Sequence, residues 1–176
     1  MPGREVKEPV SDYVVLDLET TGLSPQNDEI IEIGAVMVRN NTIVDAFSQL
    51  VRPERPISYF ITRLTGISNR MTEGAPPITA VLPAFLDFAG DSIILGHNLK
   101  GFDLKFIRNA CGKYLGRGFD NDYIDTVIIS RRLFPKEKHK LSDLELKFGL
   151  HNEHAHRALS DVVLTKQVYD KLKEYM

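Results

Sequence analysis

The chain has 176 residues, 43% of them hydrophobic, enough for one core and tight for two. Its formal net charge of −2 argues against a broad basic surface for sequence-independent nucleic-acid binding, while leaving room for a local basic rim around an acidic centre. The single cysteine, Cys111, excludes an intrachain disulfide, no apolar run approaches the ~18 residues of a bilayer span, and MPGREVKEPVSD lacks the apolar core of a signal peptide. A soluble, cytoplasmic protein with no membrane partner is expected.

Residues 1–11 are polar with two prolines and read as a tail or the end of a linker, ahead of a single domain over 12–176. YVVLDLE (13–19), EIIEIGAVMVRN (29–40) and NTIVDAFSQLVRP (41–53) read as three strands, the last two joined at Asn40-Asn41, a good tight-turn pair. ISYFITRLTG (57–66) predicts a short helix closed by Gly66, and PITAVLPAFLDFAG (77–90) a helix with Pro83 inside and Gly90 at its end. SIILGHN (92–98) predicts a fourth strand. From Gly101, Phe102, Phe106, Ile107 and Ala110 recur at helical spacing, and DYIDTVIISRRLF enters as a short strand running into a helix. LSDLELKFGL and ALSDVVLTKQVYDKLKEY supply two final helices. Three strands followed by alternating strands and helices predict an α/β fold, a mixed sheet with helices on both faces.

The first strand carries Asp17 and Glu19, which alternation projects from one face of an otherwise apolar segment. Two like charges this close raise each other's pKa unless a cation lies between them. An isolated D-x-E is better explained by a capped turn and an ion pair, so the rest of the chain decides. HNLKGFD places Asp103 at the start of a helix. HRALSD places His156 and Asp161 five residues apart, about 140° of helical rotation, so His156 must precede the last helix if both are to address one point.

Taken together, D-x-E-T-T-G ending the first strand, N-x-x-x-F-D after the fourth and H-x-x-x-x-D opening the last helix resemble the three motifs of the DnaQ-like exonucleases, in the histidine-bearing DEDDh branch. IIEIGAV, LTGI and IDT occur in the expected order, and the resemblance runs from about Tyr13 to Tyr175. Within the branch the chain is most similar to the proofreading exonucleases of bacterial DNA polymerase III, the epsilon subunit or the PolC-type domain. One departure is visible: those relatives read H-N-x-x-F-D, and Leu99-Lys100-Gly101 adds a residue, which Gly101 is expected to absorb.

The resemblance implies a ribonuclease H-like fold, with one antiparallel strand in a mixed five-stranded sheet, and a single exonuclease domain. It implies a 3′→5′ exonuclease acting on single-stranded DNA or unpaired 3′ ends, releasing nucleoside 5′-monophosphates, with a replicative polymerase subunit as partner. An exoribonuclease and a non-catalytic nucleic-acid-binding module are the alternatives. Asp17, Glu19, Asp103 and Asp161 would hold two divalent cations, with His156 as general base. All-oxygen ligation suits Mg²⁺ or Mn²⁺. Thr20, Thr21, Gly22 and Leu23, then Thr65, Gly66 and Ile67, and finally His97, Asn98 and Phe102 would contact the terminal nucleotide.

Other features have plainer readings. HNEHAH (151–156) matches no common zinc spacing and has no cysteine nearby, so His151 and His154 read as a solvated loop. Asp125 sits where an N-cap is economical. Glu32 fits either an approach to the metal cluster or a sheet edge. RRLFPKEKHK (131–140) is either a solvated face or a phosphate contact.

Overall fold

The apolar run YVVL, buried on both faces, and its continuation DLET form the strand Tyr13–Thr20 (β1), around which the rest of the sheet is laid. In a computed structural model, which describes residues 2–151 and 158–176, β1 pairs antiparallel with Ile30–Arg39 (β2), and β2 antiparallel with Thr42–Leu50 (β3). Asn40 and Asn41 join β2 to β3 with φ of 49° and 63°. Positive φ at both central positions is what a tight hairpin turn demands, and asparagine tolerates it better than most residues.

On its other side β1 pairs parallel with Ile94–Gly96 (β4), which pairs parallel with Tyr123–Asp125 (β5). The described sheet has the order β3-β2-β1-β4-β5, with β2 as the strand that runs against the others. This matches the expected mixed five-stranded architecture. β4 is much shorter than the strand predicted over 92–98, so β1 runs on beyond it.

Helices cover both faces. On one, Val14, Leu16 and Leu18 pack with Phe85 of Ile78–Ala89 (α3) and with Leu104 and Ile107 of Asp103–Ala110 (α4). On the other, Tyr13, Val15, Val36 and Val38 pack with Ile129 of Thr126–Leu133 (α5), Leu144 of Leu141–Phe148 (α6), and Val162, Val168 and Tyr169 of Ala158–Lys173 (α7). The helix predicted over 57–66 forms as Tyr59–Thr65 (α1) and ends at Gly66 with φ 73°. The short helix Asn69–Thr72 (α2) follows. Ile57, Ile61 and Ile67 seal α1 and its flanks onto Ile31 in a small separate cluster.

Two further segments depart from expectation. α4 runs into a π-helical turn, Cys111–Leu115, instead of remaining α-helical. Residues 4–6, read as tail, lie along β5: Tyr123 donates its N–H to the Arg4 carbonyl at 2.9 Å and accepts from Val6 at 2.8 Å. Val6 and Val10 also pack against the core beneath α7.

Candidate active site

The site begins where β4 stops. Beyond Leu16, one edge of β1 has no strand beside it, and α4 fills the gap: the N–H of Leu18 donates to Asp103 Oδ1 at 3.1 Å. Asp103 is buried at the first position of α4, where the helix dipole also favours a carboxylate. Burial nevertheless pushes its pKa well above the usual carboxylate range, against the relief given by its backbone hydrogen bonds.

On the α7 face, Asp17 and Glu19 project together from β1, and Asp161 reaches them from the first turn of α7. Oxygen atoms of these three carboxylates all lie within 4.8 Å of one another. Burial, then the charges of Asp103, Glu19, Asp161 and Glu32, pushes the Asp17 carboxyl well above its ordinary range. A converging, all-oxygen set that repels itself is chemically suited to a hard divalent cation, which would cancel the repulsion and hold the acids ionised. Asp103 is the fourth acid of the site, and its charge is the largest acting on Asp17.

Two residues place Asp161. Gly34 of β2 lies opposite Asp17, and a Cβ there would stand 2.5 Å from the Ala158 carbonyl carbon and 2.6 Å from the Ala158 Cβ. With no side chain between them, α7 rests directly on the sheet. Glu32, two residues earlier and opposite Glu19, is buried, and its Oε2 accepts the N–H of Ala158 at 3.2 Å. It closes the start of α7 one turn below Asp161. Of the two roles weighed for Glu32, the structure supports an interior one beside the cluster. The sequence held no signal for this helix contact, because 126 residues separate the partners.

The turn leaving β1 is built by hydrogen bonds. The Thr20 hydroxyl donates to the Gly22 carbonyl at 2.6 Å, and Thr21 Oγ1 accepts the Glu29 N–H at 2.9 Å. Asp28, which sequence reasoning missed, accepts the Ser24 N–H at 2.9 Å, and its carboxylate lies where a Cβ on Gly22 would be. Leu23 is left 85% exposed at the tip.

The remaining candidates divide. Asn98 is exposed with φ 59°, and its carbonyl accepts from Gly101 and Phe102, both at 3.0 Å. The extra residue of this turn is thus taken up by the left-handed Asn98, whose side chain occupies the space a Cβ on Gly101 would need. Asp125 does more than cap α5 through Val127 (2.9 Å): it also accepts the N–H groups of Asn98 (3.1 Å) and Lys100 (3.0 Å). His97 turns into the fold, with Nδ1 2.8 Å from Thr126 Oγ1 and the ring meeting the His139 backbone, and burial lowers its pKa to about 4.

Phe102 is partly buried, packed on Phe106 with ring centroids 4.9 Å apart. Thr65 and Ile67 are buried as well: Thr65 Oγ1 donates to the Ile61 carbonyl, and Ile67 sits in the cluster under α1. Their side chains present no surface to a ligand, so any contact from this turn must come from backbone or from Gly66. The basic run is exposed at Arg131, Arg132, Lys136, Lys138 and Lys140. His154 and His156 lie outside the described residues; His151 is exposed. Among the described residues no helix is long and apolar enough to cross a membrane.

Comparison with known proteins agrees with this geometry. A family model described as an exonuclease matches residues 14–169. The DNA polymerase III PolC-type protein of Caldanaerobacter subterraneus subsp. tengcongensis is 46% identical over 164 residues, covering 93% of this chain and 12% of that one. The DNA polymerase III subunit epsilon of Aquifex aeolicus is 40% identical over 163 residues, covering 92% of this chain and 80% of its own. Among solved structures, exonuclease X in complex with 5′ overhanging duplex DNA superimposes with a TM-score of 0.76 at 29% identity, covering 92% and 91% of the two chains.

Proposed function

The chain belongs to the exonuclease family, and from that membership we propose that it removes nucleotides from the 3′ end of single-stranded or frayed DNA, as the proofreading activity of a polymerase III-type replication machinery in the cytoplasm. The observation that carries the proposal is the convergence of Asp17, Glu19 and Asp161, from two different layers, within 4.8 Å, with the charge of Asp103 acting on Asp17.

These four acids would hold two divalent cations, Mg²⁺ or Mn²⁺. When bound, such ions neutralise a phosphodiester, lower the pKa of water and stabilise a leaving oxygen. The protein's own part is positional. Asp17 faces both β1 and α7 partners and is placed to be shared, Glu19 and Asp161 flank it, and Asp103 is fixed by the Leu18 N–H. His156 is proposed as the base that takes the proton from the attacking water, since imidazole titrates near neutrality. The Thr20–Leu23 turn, braced by Asp28, would receive the terminal sugar and base, with exposed Leu23 against the base face. A paired end must unstack before it enters, which costs least at a mismatch.

DNA is favoured over RNA because the relatives are DNA polymerase III proteins and exonuclease X is bound to DNA. The test is release of mononucleotide from 3′- and 5′-labelled single strands of DNA and RNA, with Mg²⁺, Mn²⁺ or EDTA. Metal-dependent release of 5′-monophosphates from DNA 3′ ends, faster at mismatched than matched duplex termini, is expected. Faster cleavage of RNA would establish the exoribonuclease reading instead, and no cleavage with either metal would refute both.

A further inference from the structure

We infer that the outer side of α1 forms a stacking track for the nucleotides preceding the one being cleaved, with Tyr59 and Phe60 as its base platforms; this rests on the exonuclease reading. Tyr59 is 77% and Phe60 71% exposed, with Leu64 (48%) beside them. Two large aromatic rings held in water on a rigid helix need an explanation that the core does not provide. Ile61 and Thr65 already anchor the inner side of α1, so the outer side is not required for folding.

The chemistry of the outer side is that of a single-strand binder. Tyr59, Phe60, Arg63 and Leu64 line one shallow cleft. The guanidinium of Arg63 lies 6.0 Å from the Tyr59 ring centroid, and its Nη1 donates to the Tyr59 hydroxyl at 3.4 Å, which holds cation and ring together. Arg55 is paired with Glu29, but residues 56–72 still hold the exposed Arg63 and Arg70 and no aspartate or glutamate, in a chain whose net charge is −2. Aromatic faces interleaved with arginine complement a polyanion that carries unpaired bases. A protein partner fits less well, because an ordinary interface engages about 20–30 residues a side, and this patch offers a handful flanked by charge.

Position ties the patch to the cluster. The turn that ends α1 is pinned by Ile67 to Ile31, the neighbour of Glu32, which stands opposite Glu19. A strand whose 3′ end lies at Asp17 and Glu19 therefore has α1 next to one of its exits, continuous with the Thr65–Ile67 turn.

The test compares thymidine oligonucleotides dT2 and dT8, binding to the whole chain in Ca²⁺, by fluorescence anisotropy. Wild type should bind dT8 more tightly than dT2. Tyr59→Ala/Phe60→Ala should lose about 10- to 100-fold of affinity for dT8 and much less for dT2. Arg63→Ala should lower the salt dependence of dT8 binding by about one phosphate contact. Both rings are exposed, and a thermal melt matching wild type excludes misfolding. An unchanged length dependence in the double variant overturns the track, as does a self-association seen by sedimentation that the double variant abolishes. Wild-type hydrolysis of the p-nitrophenyl ester of thymidine 5′-monophosphate in Mn²⁺ needs no upstream nucleotide: its absence defeats the exonuclease reading, while the oligonucleotide comparison still decides the track.

Discussion

Asp17→Asn should make the metal-free protein more stable and the Mg²⁺-loaded protein less stable than wild type. Two unit charges 4.8 Å apart repel by about 3.5 kcal/mol at an effective dielectric constant of about 20. Asp17 faces Glu19 and Asp161 within that range, with Asp103 and Glu32 acting on it as well. Its raised pKa means that proton uptake relieves part of this repulsion, so a net gain of about 1–2 kcal/mol is expected in EDTA, or about 2–8 °C for a chain of this length. The pH dependence has a definite sign. A carboxylate with a raised pKa binds protons more tightly folded than unfolded, so wild-type stability falls as pH rises from the ordinary carboxylate range through the folded value. The advantage of the variant in EDTA should therefore grow as pH rises above the ordinary carboxylate range. With Mg²⁺ at about 100 times its dissociation constant, wild type gains about 2.7 kcal/mol per site, which the variant forfeits by losing a ligand. Calorimetric melts across pH in EDTA and Mg²⁺ measure the crossover. A variant less stable than wild type in EDTA, or equally stabilised by Mg²⁺, would refute the shared-ligand account.

Glu32→Ala should cost about 1–2 kcal/mol, through the unpaired Ala158 N–H, and weaken Mn²⁺ binding measured by calorimetry, whereas Glu32→Gln, which keeps an acceptor for that N–H, should bind Mn²⁺ more tightly than Glu32→Ala. Asp125→Ala strands the N–H groups of Asn98, Lys100 and Val127 and should destabilise by about 2–4 kcal/mol in urea unfolding; a loss below about 0.5 kcal/mol would mean water replaces the carboxylate. His97 has a folded pKa of about 4 against 6.5, so the unfolded chain takes up a proton first on acidification. Wild type should lose up to about 3 kcal/mol between pH 6.5 and 4, a loss His97→Gln should lack when the two urea series are compared.

What the sequence disclosed follows from the range of each interaction. Strand alternation alone puts Asp17 and Glu19 on one face, Asn40-Asn41 specifies its own turn, and Asp103 and Asp125 stand at helix starts that their neighbours announce. All of these are settled within a few residues. The contacts that were not legible join distant segments: Glu32 to Ala158, Asp125 to Asn98 and Lys100, Arg4 to Tyr123. Ile67 and Tyr59 illustrate the limit of pattern. Both belong to an amphipathic stretch, and only the placement of Ile31 decides that Ile67 is covered while Tyr59 faces solvent. The contact of His97 Nδ1 with Thr126 Oγ1 likewise spans 29 residues, and no local pattern announces it.

The contact of Gly34 with Ala158 gives the acidic centre the character of a gauge. Two of its acids ride on a strand and the third on a helix, so their separation is the separation of two layers, read where Gly34 lets the sheet meet the start of α7. Cation coordination tolerates displacements of a few tenths of an ångström, far less than the dimensions of a side chain. Any thickening of the apolar layer under α7, such as Val36→Ile or Val162→Leu, would register as lost metal affinity before it registered as unfolding. Thermal loosening would do the same. Mn²⁺ binding is therefore expected to be lost at a lower temperature than the one at which the sheet melts, a difference that binding calorimetry set against a thermal melt would measure.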